Sequence, residues 1–73
     1  MYEQTILDDG TELWVGGRGN TFVADPQGNI FYGNILDPTQ FTPVAGGNFI
    51  PNYDNLETLV EYVTQRLSQL PQP

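Results

Sequence analysis

The fold of the first part of the chain is decided by one stretch, Thr21-Phe22-Val23-Ala24-Asp25-Pro26-Gln27-Gly28-Asn29-Ile30-Phe31-Tyr32. β-prone residues at both ends of it enclose a turn. In this turn Asp25 can cap the backbone, Pro26 presets φ at the second position, and Gly28 accepts the left-handed conformation. The stretch predicts a type I turn with a G1 bulge, and therefore a hairpin between residues 21–25 and 30–35.

Further short strands are expected on both sides of this hairpin. Residues 3–7 and 12–15 are β-prone runs bounded by turn residues. After the hairpin, Asp37-Pro38-Thr39 opens another turn and Gly46-Gly47 a third. Strands at near-regular spacing predict an antiparallel meander of four or five strands.

Gly-Asn pairs lead into an aromatic strand at several places, at Gly19-Asn20, Gly28-Asn29 and Gly47-Asn48. Their spacing is irregular and shorter than the periods of known repeat families. We interpret them as hairpin chemistry used more than once, with a left-handed glycine just before a strand.

Residues 54–70 are predicted to form one amphipathic helix. Six apolar residues recur at helical period: Leu56, Leu59, Val60, Val63, Leu67 and Leu70. Asp54 is the expected N-cap, and Glu57 completes a capping box. The tail, residues 71–73, cannot extend the helix because it contains two prolines.

The expected fold class is therefore α+β, in a single domain of 73 residues. Residues 1–53 supply the β-rich meander and a loop, and residues 54–70 supply a helix that packs on one face of the sheet. Because one helix covers only one face, the sheet either curls into a partial barrel or leaves its other face partly open.

Composition excludes several classes of function. The chain has two cations, Arg18 and Arg66, against nine acidic residues, a net charge of −7, and neither His nor Cys. Disulfides, thiolate metal sites and mechanisms that need His, Cys or Lys are excluded. Direct binding of nucleic acid is not expected, because neutralising phosphates needs several cations on one face.

No set of residues predicts catalysis. Ser68 is the only serine, and the chain has no histidine to activate it. The carboxylates lack a cleft that could enclose a substrate. We expect no catalytic residue, no cofactor and no resident metal. Asp8-Asp9-Gly10-Thr11-Glu12 is interpreted as an exposed turn. The less favoured reading is a weak calcium site, which would form if Asp25 or Asp37 lay nearby.

The glycine-rich segment Gly16-Gly17-Arg18-Gly19-Asn20 is predicted to be a hairpin tip. Its glycines could present backbone N–H groups to an anion, with Arg18 beside it. It lacks the Lys-Ser/Thr of a phosphate loop and a following helix. Contact of Arg18 with a protein is therefore favoured over nucleotide binding.

The aromatic residues raise the question of what covers them. Alternation places Trp14 on the opposite face of its strand from Leu13 and Val15. Trp14 and some of Phe22, Phe31 and Tyr32 then lie on an open face and mark an interface. In the alternative, the loop 36–53 folds back over that face through Phe41, Val44, Phe49 and Ile50. The sequence leaves both open.

These observations favour a small acidic protein-interaction module: an adaptor, inhibitor or accessory subunit. The expected contact residues are Trp14, Arg18, Phe31 and Tyr32, and the expected partner is a protein with a basic surface. The alternatives are a structural subunit that forms a homodimer through the same face and, less favoured, a weak calcium or carbohydrate binder. No apolar run approaches the length of about 18 residues of a membrane span, so we expect a cytoplasmic protein.

Overall fold

The computed structural model describes residues 1–44 and 56–70, which form five strands and one helix. The elements are β1 (Glu3–Ile6), β2 (Glu12–Val15), β3 (Asn20–Ala24), β4 (Ile30–Asn34), β5 (Asp37–Pro43) and α1 (Leu56–Leu67). The strands form one antiparallel sheet in the order β1-β2-β3-β4-β5. This confirms the predicted α+β meander with a C-terminal helix. In the part of the chain described, β1 and β5 do not pair, so the sheet stays open and forms no barrel.

The hairpin predicted around Asp25 is confirmed. The Gly28 N–H donates to the Asp25 carbonyl at 3.1 Å, and the Asp25 N–H donates to the Asn29 carbonyl at 2.9 Å. Gly28 has a φ of +92°, which is the left-handed conformation expected of it. Asp25 Oδ1 accepts the backbone N–H groups of Gln27 at 3.0 Å and Asn29 at 2.8 Å. The capping role of Asp25 follows directly from the sequence.

The same backbone pattern closes the two preceding hairpins. Leu7 donates to the Thr11 carbonyl at 2.8 Å, and Gly16 donates to the Asn20 carbonyl at 2.7 Å. The left-handed glycines of the three turns are Gly10, Gly19 and Gly28, at intervals of nine residues. Strands of four or five residues and turns of one kind therefore alternate along the first part of the chain.

The turn predicted to open at Asp37-Pro38-Thr39 begins two residues earlier in the structure. The turn lies at Ile35-Leu36, and Asp37 already begins β5. Asn34 sets this position, because its Oδ1 accepts the Leu36 N–H at 2.9 Å. Asp37 does cap the backbone two residues on, accepting the Thr39 N–H at 3.3 Å. That cap lies within a register shift of β5 and does not reverse the chain.

The core lies between α1 and one face of the sheet. Its buried apolar residues are Leu7, Leu13, Val23, Phe31, Phe41, Leu59, Val63 and Leu67. The Phe41 ring packs directly on the backbone of Gly33, where an added Cβ would lie 2.6 Å from a ring atom. From the sequence, residues 37–43 are expected to belong to a loop that could cover the opposite face of the sheet, but they form β5. Phe41 is buried in the core beneath α1 and does not cover that face.

The helix presents its apolar stripe to the sheet, as its periodicity predicts. Leu59, Val63 and Leu67 are buried, and Leu70 packs against the same cluster. Beyond Leu67 the backbone continues as a turn, in which the Leu70 N–H donates to the Leu67 carbonyl at 3.2 Å. In the described part of the chain, no helix is long and apolar enough to cross a membrane.

Several predictions concern residues outside those that the structure describes. They are the Asp54 cap with its capping box, the Gly46-Gly47 turn, the Gly47-Asn48 pair, the covering role of Phe49 and Ile50, and the tail 71–73.

Candidate functional site

The face of the sheet opposite α1 carries a row of residues that crosses all five strands. The register aligns Trp14 with Phe22 and Phe22 with Tyr32. Gln4 of β1 and Thr42 of β5 continue the row at its two ends. We call this surface the aromatic face. Its side chains lie opposite the core because neighbouring residues of a strand point to opposite sides.

The rings of the aromatic face contact one another. The ring centroids of Phe22 and Tyr32 are 4.6 Å apart with an interplanar angle of 43°, and those of Tyr2 and Phe22 are 5.7 Å apart at 51°. These are tilted arrangements of the kind that aromatic pairs favour. Tyr2 remains 46% exposed and Tyr32 38% exposed, whereas Trp14 and Phe22 are half-buried. The face is thus ordered and accessible at once.

The ring of Tyr2 lies over Gly16, which has no side chain. A Cβ on Gly16 would lie 3.0 Å from a ring carbon of Tyr2, so only glycine fits beneath the ring without a shift. This contact extends the aromatic face to the end of the sheet where β2 turns into β3.

Apolar and polar side chains flank the rings on the other side. Ile6 is 65% exposed and Ile30 is 37% exposed, in a row parallel to that of Trp14. Between them Glu12 accepts a hydrogen bond of 2.8 Å from Gln4 Nε2. An apolar centre with polar groups at its margin is the usual composition of a protein-binding surface.

The structure does not bring together the four contact residues expected from the sequence. Trp14 and Tyr32 lie on the aromatic face, in the same row. Phe31 has no exposed area and lies in the core beneath α1, so it is not part of any accessible surface. Alternation separates Phe31 from Tyr32 by one residue and therefore by the whole thickness of the sheet.

Arg18 lies in the loop between β2 and β3. It is exposed and takes a left-handed φ of 64°, which is unusual for a residue with a side chain. Two amides of the loop are not available to an anion, because the N–H groups of Gly16 and Gly19 already donate to backbone carbonyls. The Arg18 carbonyl accepts the Asn34 side-chain amide at 2.9 Å, which fastens the loop to β4.

A second group of polar residues joins the helix to the first hairpin turn. The Tyr62 hydroxyl and Thr11 Oγ1 share a hydrogen bond of 2.6 Å, and Thr11 is fully buried. Arg66 lies 2.9 Å from Asp9 Oδ2, with its guanidinium carbon 3.9 Å from the centroid of the Tyr62 ring. Sequence reasoning missed these residues, because positions 51 and 57 residues apart share no local pattern.

The contacts of Asp9 in this cluster change its acidity. The Thr11 backbone N–H donates to Asp9 Oδ1 at 2.9 Å. This hydrogen bond, assisted by the Arg66 guanidinium, holds the pKa of Asp9 below its ordinary value of 3.8. Both partners stabilise the charged form, so Asp9 acts as a fixed anion that anchors the helix.

A cleft of about 380 Å³ lies beside this cluster, between α1 and the two turns that contain Asp9 and Pro26. At its wall, Arg66 is paired with Asp9, and the Tyr62 hydroxyl is hydrogen-bonded to Thr11. Their contacts join the helix to the sheet, and we assign them that structural role.

The acidic residues do not assemble into a metal site within residues 1–44 and 56–70, where no three potential ligands lie together. Asp25, one of the two acids that could complete the weak calcium site, is buried and directs its oxygens to its own turn.

Comparison with protein-family models, curated proteins and solved structures finds no match to this chain.

Proposed function

We propose that this chain is a non-enzymatic interaction module that binds another protein through the aromatic face. The observation that carries the proposal is the row Trp14, Phe22 and Tyr32, which lies on the face of the sheet opposite the described core and in which Tyr32 is exposed. Exposed apolar surface that is contiguous marks an interaction site more often than isolated exposed residues do.

The arrangement of the rings supports tight contact. Phe22 touches both Tyr2 and Tyr32, so the rings are held in place before a partner arrives. Little side-chain freedom is then lost on binding. Tyr and Trp are also the residue types that contribute most to binding energy at the centre of an interface.

Charge supports a partner with a basic surface. The net charge is −7, and one of the two cations, Arg66, is paired with Asp9. A negative potential speeds encounter with a basic protein and repels nucleic acid. Arg18 is exposed at the end of the sheet and supports a role as a contact at the margin of the interface.

The proposal can be tested by site-specific photo-crosslinking. Benzoylphenylalanine in place of Tyr32 samples the aromatic face, and the same residue in place of Thr64 samples the exposed side of α1. In extracts of the source cells, we expect the probe at position 32 to crosslink a basic protein that the probe at position 64 does not capture.

The captured protein is then purified and titrated with the wild-type chain. We expect Tyr32→Ala to weaken its binding at least tenfold, about 1.4 kcal/mol, because a central aromatic side chain is removed. The melting temperature should change little, since the Tyr32 side chain lies outside the core. Unchanged affinity, or equal crosslinking from positions 32 and 64, would contradict the proposal.

A further inference from the structure

The two edges of the sheet differ in their capacity to accept another strand. At the β5 edge, the Val44 N–H donates to the Ile30 carbonyl at 2.8 Å, so Val44 faces β4. Residues of an antiparallel strand face alternate sides, which directs Pro43 outward. Proline has no N–H to offer, and its ring obstructs a further strand. Pro38 lies in the same strand.

The β1 edge has no such protection. The Leu7 N–H donates to the Thr11 carbonyl at 2.8 Å, so Leu7 faces the neighbouring strand. By the same alternation Glu3 and Thr5 face β2, and the backbone groups of Gln4 and Ile6 face outward. β1 contains no proline, and within the described residues β2 is its only neighbour. Gln4 and Ile6 therefore offer donors and acceptors to a sixth strand.

The charge around this edge favours a basic occupant. Glu3 lies in β1, Asp8 lies in the turn after it, and Glu12 lies in β2. Arg66 contacts the same turn but is paired with Asp9, and no Lys or Arg occurs before Arg18 in the sequence. Two copies joined at β1 would bring these acids together in molecules that each carry a charge of −7, so the edge disfavours a second copy of the chain.

The two sides of β1 differ in character, which defines the pattern of the occupant. A residue opposite Gln4 or Ile6 would extend the aromatic face next to Tyr2, where apolar side chains fit. A residue opposite Glu3 or Thr5 would lie on the other side, where a basic side chain can pair with Glu3.

We propose that the β1 edge binds an extended segment of another protein as a sixth, antiparallel strand, in which Lys or Arg alternates with apolar residues. Main-chain hydrogen bonds supply affinity in this mode, and alternate side chains supply specificity. The inference rests on the proposed function, because the added strand continues the aromatic face on which that function depends.

A synthetic peptide of about ten residues that alternates Lys and Val provides the probe. With the peptide bound, we expect the amides of Gln4 and Ile6 to exchange hydrogen at least tenfold more slowly in NMR measurements. The amides of β5 should not change. Exchange of Glu3 and Thr5 should change less, since both already face β2.

Two methylated peptides separate strand addition from charge attraction. In the antiparallel arrangement the Val amides face Gln4 and Ile6, and the Lys amides face solvent. N-methylation of the Val residues should abolish binding, whereas N-methylation of the Lys residues should preserve it. Glu3→Gln should weaken binding about two- to fivefold, the effect of losing one exposed ion pair, and Asp37→Asn at the far edge should not.

The proposal is overturned by equal binding of the two methylated peptides, by protection at β5 in place of β1, or by no binding at about 1 mM peptide. Protection of Gln4 and Ile6 in the concentrated pure protein, without peptide, would assign the edge to a second copy and overturn it too. These outcomes leave the crosslinking result from Tyr32 intact, so failure at the edge and failure of the aromatic face are distinguishable.

Discussion

Asp25 is a buried acid whose side chain accepts hydrogen bonds from residues of its own turn. Its Oδ1 accepts two backbone N–H groups, and its Oδ2 accepts the Asn29 side-chain amide at 2.8 Å. It is only 4% exposed, so these hydrogen bonds replace the water that it loses on folding. The residue shows that an acid in this chain can be structural and need not belong to a binding site.

We expect Asp25→Ala to lower the free energy of unfolding by about 2 kcal/mol, because it leaves buried donors without an acceptor. Asp8→Ala, an exposed acid in the corresponding first turn, is the control and should change stability by less than about 0.5 kcal/mol. Urea denaturation of both variants measures the difference. Equal effects would show that the hydrogen bonds of Asp25 are not what stabilises the turn.

Asp9 gives the domain a component of stability that depends on pH. Its folded pKa lies below the unfolded value, so its contribution is complete above the unfolded pKa and is lost as pH falls through the folded pKa. The Asp9 side chain is 39% exposed, and solvent screening keeps the contribution below about 1 kcal/mol.

Asp9→Asn should therefore be slightly less stable than the wild type at neutral pH. The amide oxygen can still accept the Thr11 N–H, but the charge that pairs with Arg66 is lost. The difference in unfolding free energy should shrink as pH falls below 3.8, which is the ordinary value for the Asp side chain. A difference that stays constant from pH 7 to about pH 2 would contradict this assignment.

At the scale of elements, the sequence predicts most of the strands because local chemistry determines them. The turns at Asp25 and Gly10 each contain a left-handed glycine, and β-prone runs flank them. Gly10, Gly19 and Gly28 recur at nine-residue intervals in the sequence. The pattern of Gly-Asn pairs does not include the first of these turns, because Thr11 follows Gly10 where Asn follows the other two glycines.

Other elements could not be predicted because their signals compete or act over long distances. Asn34 and Asp37 are both good turn residues, and Asn34 determines the reversal. Packing of Phe41 on Gly33 adds β5 to the sheet. The Arg66–Asp9 pair joins residues that are 57 positions apart, so no local sequence pattern predicts it.

The helix is held by its apolar stripe, and this can be tested with neighbouring positions. Val63 has no exposed area and Thr64, the next residue, is exposed. Val63→Asp should unfold the domain, because an unpaired buried carboxylate costs several kcal/mol, a large part of the stability of a small domain. Leu59→Ala should cost about 2–5 kcal/mol.

Thr64→Asp is the matched control for Val63→Asp and should melt close to the wild type. Circular dichroism on heating measures all three variants. A cooperative transition of Val63→Asp at the wild-type temperature would rule out packing of the helix on the sheet.

At the scale of the whole molecule, one helix can cover only one of the two faces of a five-stranded sheet. The helix supplies Leu59, Val63 and Leu67 to one face of the sheet, and the other face receives no helix in the described part of the chain. The sequence indicates this imbalance through the alternation around Trp14. Assigning Phe31 to the core and Tyr32 to the surface requires the position of the helix, which periodicity alone does not give.

The alternative occupant of the aromatic face is a second copy of the chain. In a homodimer, the aromatic faces of two copies would contact each other, and aromatic rings pack well against aromatic rings. Both copies would carry the same negative charge. Net charge disfavours it, and the proposed hetero-association predicts that the isolated chain does not use this face.

The most direct measurement is the solution mass of the pure protein by light scattering, from micromolar to millimolar concentration and at low and high salt. The account predicts a monomer of 8.2 kDa throughout, with an aromatic face that is free for another protein. A stable dimer that Tyr32→Ala converts to monomer would contradict it, because the face would then be occupied by a second copy.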